Sequence, residues 1–179
     1  MTELGFPRRR FFGLTLALSA ALLASCADQT SAQKTYEPVE ITTGTSCDLD
    51  GMLLADYPGP KAQIHYADQE RPMFFCDTVE LFNTLLAAEQ VRAVRAIYVQ
   101  DMGKANWDEP KGHWVDAKTA TFVIGSKREG SMGPTIASFA QAADAEKFVA
   151  EYGGKALKFA DVTLDMVDLR GGALHDSSM

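Results

Sequence analysis

The uncharged stretch FFGLTLALSAALLA, residues 11–24, sets the first boundary on what this chain can fold into. It is shorter than the roughly 20 apolar residues a helix needs to span a bilayer. Behind the arginine-bearing start MTELGFPRRR it has the layout of the core of an export signal. Residues 1–25 are therefore set aside as a removable segment, and the fold is sought downstream. The 179-residue length suits one domain or two small repeated units on a common core. A net charge of −7 leaves no broad basic patch, so nucleic acid is not an expected partner. Three cysteines are too few for a disulfide scaffold.

The apolar run ends in LLASC, residues 22–26, which resembles the lipobox of bacterial lipoproteins. That resemblance implies cleavage between Ser25 and Cys26 and lipidation of the Cys26 sulfur. It places the mature chain in the periplasm, anchored to a membrane, the outer membrane being the expected one. Arg8 and Arg9, followed by Arg10, Phe11 and Phe12, also resemble a twin-arginine export signal, from which Pro7 and Gly13 depart. Residues 26–46 are polar and read as a lipidated tether, residues 47–170 as the folded domain, and residues 171–179 as a tail.

Within the domain, KAQIHYA alternates as a strand with Ala62, Ile64 and Tyr66 on one face, and PMFFC reads as a second strand. DTVELFNTLLAAEQV is a helix: Asp77 is its N-cap and Glu80 closes a capping-box-like pair. Val79, Phe82, Leu85 and Leu86 recur at helical spacing. VRAIYVQD is a strand, and HWVDAKTATFVIGS gives two more around a turn near residues 116–118. After the Gly-rich loop KREGSMGP come the strand TIASFA, a helix capped by Asp144 and stopped at Gly153, and the strand KALKFADV. The order methionine, Gly/Pro turn, strand, acidic cap, helix occurs twice. The expected fold is α+β, two related ββαβ-type units, each a small sheet covered by one helix.

No nucleophile elbow, Walker loop, dinucleotide glycine pattern or paired C-x-x-C is present, which speaks against an enzyme. Sulfur is better represented than imidazole. Met52 in DGML, Met102 in QDMGK and Met132 in GSMGP each touch a glycine near a turn, where a side chain is better placed to reach a cleft than a core. Cys47 lies five residues before Met52. Thiolate and thioether donors select Cu(I) over hard divalent cations. The expected ligand pool is Cys47, Met52, Met102 and Met132, with His65 or His113 as a nitrogen donor.

From CDLDGM to FADVTLDMV the chain resembles the NosL family, membrane-anchored copper proteins associated with nitrous oxide reductase assembly. The resemblance rests on GM…YPGPKAQI, IYVQDMG, HWVDA, FVIGS, GSMGP and the DAEKFVAEYGG helix. It implies a periplasmic Cu(I) carrier that serves the copper–sulfur cluster of nitrous oxide reductase. The implied partners are that reductase and its membrane-associated, ABC-transporter-type maturation complex. Many relatives look like Cys-x-x-Cys-Gly-Met at the entry to the domain; here Asp50 stands in place of the second cysteine. Two other readings stay open. In one, a Cys47–Cys76 disulfide closes a loop of about 30 residues and contributes about 3 kcal/mol, in a thiol-redox or structural lipoprotein with no role in copper delivery. In the other, Trp107 and Trp114 in NWDEPKGHW bind a protein partner.

Overall fold

The computed structural model describes residues 1–2 and 35–167. Cys26 and the tail from Gly171 lie outside the described residues, as does the export signal apart from its first two. The fold is mixed α+β, built on small antiparallel sheets. Strand β1 (Ala62–Tyr66) is the centre of the first sheet, paired with β2 (Met73–Phe75) and β3 (Val94–Gln100). Helix α1 (Thr78–Leu86) falls between β2 and β3 in sequence, and β4 (Trp114–Asp116) extends the sheet to the order β2-β1-β3-β4. A second sheet centres on β5 (Thr121–Ile124). The hairpin of β6 (Glu129–Gly130) and β7 (Gly133–Pro134) follows it. Then come β8 (Ala137–Phe139), α2 (Ala142–Tyr152) and β9 (Lys155–Lys158), with β8 and β9 flanking β5.

Alternation explains the first sheet. Ala62, Ile64 and Tyr66 enter the core, as their spacing predicts, with Phe75, Leu81, Phe82, Ile97 and Val99. That core is continuous with Phe122, Ile136 and Leu157 of the second sheet region. Phe82 of α1 and Phe122 of β5 meet edge to face at 4.9 Å between ring centres. Gln63 and His65 point to the opposite face of β1. They are buried there because chain N-terminal to the expected domain covers them. Gln63 Nε2 donates to the Val39 carbonyl at 3.0 Å, and Val39 N donates to Gln63 Oε1 at 2.8 Å. The folded region thus begins near Tyr36, ahead of Cys47, because the stretch read as tether supplies backbone partners for a buried amide. Tyr98 Oη donates to the Tyr36 carbonyl at 2.8 Å and ties down the same stretch.

Asp77 caps α1 as expected, its carboxylate accepting from Val79 N at 2.9 Å. Asp144 does not cap α2. The helix starts a turn earlier, with Gln141 at the cap, because Ala142 and Ala143 are strong helix formers. Asp144 lies in the first turn, where its charge suits the helix dipole, and pairs with Lys147 at 2.9 Å. Leu86 is exposed rather than packed on the sheet, since α1 ends there. Among the described residues, no helix is long and apolar enough to cross a membrane.

Candidate metal centre

The loop from Thr42 to Asp56 is built to present Cys47. Ser46 and Leu53 form an isolated bridge, Cys47 N donates to the Met52 carbonyl at 2.8 Å, and Gly51 N returns to the Cys47 carbonyl at 3.0 Å. So tight a reversal needs a left-handed residue, which Gly51 provides at φ +80°. Asp48 fastens the loop to the end of β2. Its backbone N donates to the Phe74 carbonyl at 2.9 Å, and its carboxylate accepts from Phe74 N at 2.7 Å and from Arg71 Nη2 at 2.5 Å. The stitch brings Cys47 beside Cys76, which lies between β2 and the cap of α1.

Glu80 completes the arrangement, on the first turn of α1 and four residues after Cys76. Its Oε2 lies 3.1 Å from Cys76 Sγ and 3.5 Å from Cys47 Sγ. Asp50 Oδ2 is 3.9 Å from Cys76 Sγ. The ligand atoms of Cys47, Asp50, Cys76 and Glu80 all lie within 4.8 Å of one another. Cys47, Cys76 and Glu80 are 2%, 0% and 3% exposed, and Asp50 faces solvent. Both cysteines are free thiols, so the disulfide alternative is not the form this structure holds.

The two thiols are pushed in opposite directions. A hydrogen bond from Cys76, with backbone N–H groups of Leu49 and Asp50, holds the Cys47 thiol below its ordinary value against the opposing effect of burial. The same hydrogen bond to Cys47, burial and the Glu80 carboxylate push Cys76 up. Cys47 is therefore the sulfur primed to be anionic, the form that ligates metal.

Lys61 lies under this cluster and is fully buried. Its Nζ donates to the Pro58 carbonyl at 2.8 Å and to the Cys76 carbonyl at 3.0 Å. Burial lowers its pKa to about 8, opposed by the negative groups Asp77, Cys76, Glu80 and Cys47. Burial also raises Asp77 to about 6, against the Val79 N–H, Thr135 and Lys61. The Ser131 hydroxyl, from the β6–β7 turn, is a second donor to the Cys76 carbonyl. Gly130 packs so closely that a Cβ there would lie 2.3 Å from Asp77 Oδ2.

Of the residues singled out from sequence, Met52 joins the thiols: it is partly buried and packs against Cys47, Leu54, Phe74 and Cys76. Met132 is exposed and follows Ser131 on the hairpin that reaches Cys76. Met102 belongs elsewhere, packed against the Val123, Ala137, Phe139 and Phe148 cluster with Trp107. His65 lies on the outer face of β1 between the Tyr36 and Tyr98 rings, each 5.9 Å away. His113 is exposed at φ +55°, with its carbonyl accepting from Asp101 N at 2.8 Å. Trp107 stacks on Phe148 at 5.4 Å, and Trp114 is partly buried in β4. Neither stands free on the loop. Sequence reasoning passed over Cys76 as a donor and missed Asp50, Glu80 and Lys61. The signal available was Cys76 and Glu80 at i, i+4 across a helix start, which the capping-box reading of Glu80 obscured.

The NosL family model matches residues 38–167. The chain is 32% identical over 170 residues to a copper-binding lipoprotein NosL of Stutzerimonas stutzeri, covering 92% of this chain and 88% of that one. It is 35% identical over 164 residues to a copper-binding lipoprotein NosL of Achromobacter cycloclastes, covering 89% and 84%. The crystal structure of the copper chaperone NosL from Shewanella denitrificans superposes with a TM-score of 0.71 at 38% identity, covering 74% of this chain and 99% of that one. With a matching family model over most of the chain, two close relatives and a shared fold, the chain belongs to the NosL family.

Proposed function

We propose that this protein is a Cu(I)-binding metallochaperone held in the periplasm by a lipid on Cys26, and not an enzyme. The observation that carries the reading is the convergence of Cys47 and Cys76 with the Glu80 and Asp50 carboxylates within 4.8 Å, with Met52 packed against the apolar cluster that contains both cysteines. Two thiols and a thioether suit a soft monovalent ion. The relatives named as copper-binding lipoproteins support the same cargo. Copper is what the site carries rather than a resident cofactor. A donor set with one edge open at Asp50 lets an acceptor's ligands replace its own one at a time.

The destination we propose is the copper–sulfur cluster of nitrous oxide reductase, reached together with that enzyme's membrane-associated, ABC-transporter-type maturation complex. We also read the fold as two related ββαβ units. In support, a helix joins the two strands that flank the central strand in each sheet, giving β2-β1-β3 and β8-β5-β9.

The test is a Cu(I) titration against a competing chelator on reduced, anaerobic protein. Cys47→Ser and Cys76→Ser are each expected to weaken binding by at least about tenfold, as loss of a ligand outweighs loss of its supporting partner. Met102→Ala is expected to leave it unchanged. Wild-type affinity in both cysteine variants sinks the copper site. A fully metallated reductase in cells lacking the protein under copper limitation sinks the delivery role alone.

A further inference from the structure

Residues 36–41, just ahead of the Cys47 loop, are held by their backbone on the outer face of the first sheet. Gln63, within β1 and fully buried, turns its side-chain amide to that face as a donor and an acceptor side by side. Val39 answers both: its N–H donates to Gln63 Oε1 at 2.8 Å, and its carbonyl accepts from Gln63 Nε2 at 3.0 Å. The Val39 side chain is exposed, so the backbone pair is what docks it. The pair also fixes register. A slip of one residue toward Pro38 loses the donor, because proline has no N–H. Tyr98 Oη holds the start of the stretch by its carbonyl at Tyr36. Onward from Val39, Ile41 packs against the cluster of Cys47, Leu54, Phe74 and Cys76. Thr42 and Thr45 close a turn, with Thr45 N on the Thr42 carbonyl at 3.0 Å and Thr42 N on Thr45 Oγ1 at 2.9 Å. The Thr45 carbonyl then accepts from Leu54 N at 2.9 Å, beside the Ser46–Leu53 bridge. The outer face of the sheet and the Cys47 loop are thus joined by one piece of chain fastened at both ends and in the middle.

We propose that residues 36–41 are a strap that positions the Cys47 side of the metal centre, with Gln63 as the positioning residue that docks it. The inference rests on the reading that Cys47 and Cys76 are the copper donors. Gln63 acts through Val39, from the face of β1 opposite the core, and is not itself a ligand. The two sulfurs are held differently. Cys76 lies between β2 and the cap of α1, elements of the sheet and its helix. Cys47 lies on a loop, which keeps its place only as firmly as its ends are fastened. One fastening is the Asp48 stitch to Phe74. The strap is the other. With the strap docked, the loop is ordered before the metal arrives, and binding is spared the cost of ordering it. With the strap lifted, Cys47 leaves its place beside Cys76 more often, and the metal departs faster.

The experiment measures the rate at which the reduced, full-length protein in detergent releases Cu(I) to a chelator, for wild type, Gln63→Met and Val123→Ala. Methionine is close to glutamine in length and makes neither bond to the Val39 backbone. Gln63→Met is expected to release Cu(I) about 3–30-fold faster, the range for a residue coupled to a site it does not touch. Val123→Ala hollows the second sheet's core, away from the strap. It lowers overall stability and should leave release unchanged. A folded Gln63→Met protein with the wild-type release rate overturns the proposal, as does equal acceleration by Val123→Ala. Should Gln63→Met not fold, amide hydrogen exchange in wild type decides. Val39 and Cys47 amides that open together, more readily than Met102 N on the Ser138 carbonyl, support the strap. A Cys47 amide that opens independently of Val39, or opens only with Met102, ends it. Failure of wild type to bind Cu(I), or undiminished binding by Cys47→Ser and Cys76→Ser, overturns the copper reading and this inference with it. Unchanged release by Gln63→Met overturns the strap alone.

Discussion

Asp48 shows how one side chain sets the geometry of its neighbours. Burial pushes its carboxyl up, but the Arg71 guanidinium and the Phe74 N–H outweigh that and hold it below the ordinary carboxylate range. A depressed folded value means that the ionised form stabilises the fold. That contribution is complete above the unfolded carboxylate value and is lost as pH falls through the lower folded one. Asp48→Asn is therefore expected to cost about 1 kcal/mol at neutral pH, chiefly through the backbone hydrogen bond, because Arg71 is well exposed. It should also flatten the acid limb of the stability curve below about pH 4. Denaturant melts of both proteins from acid to neutral pH check this, and an unchanged acid limb sinks it. From sequence, Cys47 and Met52 were legible as candidate soft donors because their side-chain chemistry alone marks them. Glu80 was not, since a first-turn glutamate serves a cap or a ligand equally well until the opposite loop is placed. Lys61 was illegible for the same reason: its charge acquires meaning only from groups that are distant in sequence.

Elements with strong local signals were read correctly. The period-2 pattern of β1 and the Asp77 cap of α1 follow from interactions within a few residues, and both stand where expected. The hairpin of β6 and β7 carries no such signal, and KREGSMGP reads as a loop because two residues per strand are too few for a period. Its place is fixed by long-range fit. Gly130 lies against Asp77 and Thr135, and Thr135 Oγ1 donates to Asp77 Oδ1 at 2.7 Å. A methyl group on Gly130 would meet Asp77 Oδ2 at 2.3 Å and Thr135 Cβ at 2.9 Å. Gly130→Ala is thus expected to destabilise the protein by about 1–3 kcal/mol through overpacking. By shifting Ser131 off the Cys76 carbonyl it should also weaken Cu(I) binding. Gly44→Ala is the control: a Cβ there meets nothing within 4 Å, and the change should stay within about 0.5 kcal/mol. Melting curves and titrations on the two variants separate the effects, and a fully stable Gly130→Ala protein would falsify the close fit.

At the scale of the molecule, the candidate metal centre depends on both sheets. Cys47, Cys76 and Glu80 come from the first sheet's surroundings, while from the chain between β5 and β8 Ser131 donates to the Cys76 carbonyl and Thr135 to the neighbouring Asp77. The apolar core is likewise shared, with Phe82 against Phe122 and both against Phe159. Two units that shared only a linker would unfold separately, whereas two units with one core should not. The tryptophans allow a direct check, because Trp107 stacks on Phe148 of α2 and Trp114 lies in β4 of the first sheet. Phe122→Ala removes a ring at the centre of the shared core and is expected to cost about 3–5 kcal/mol. The loss should appear equally in the transitions followed by Trp107 and by Trp114, using single-tryptophan variants, and in far-ultraviolet circular dichroism. The variant's Cu(I) site should disappear at the same denaturant concentration, since the thiols lose their alignment when the core opens. Two separated transitions, with Trp107 melting early and the copper site surviving, would show that the first sheet holds the metal centre without its neighbour.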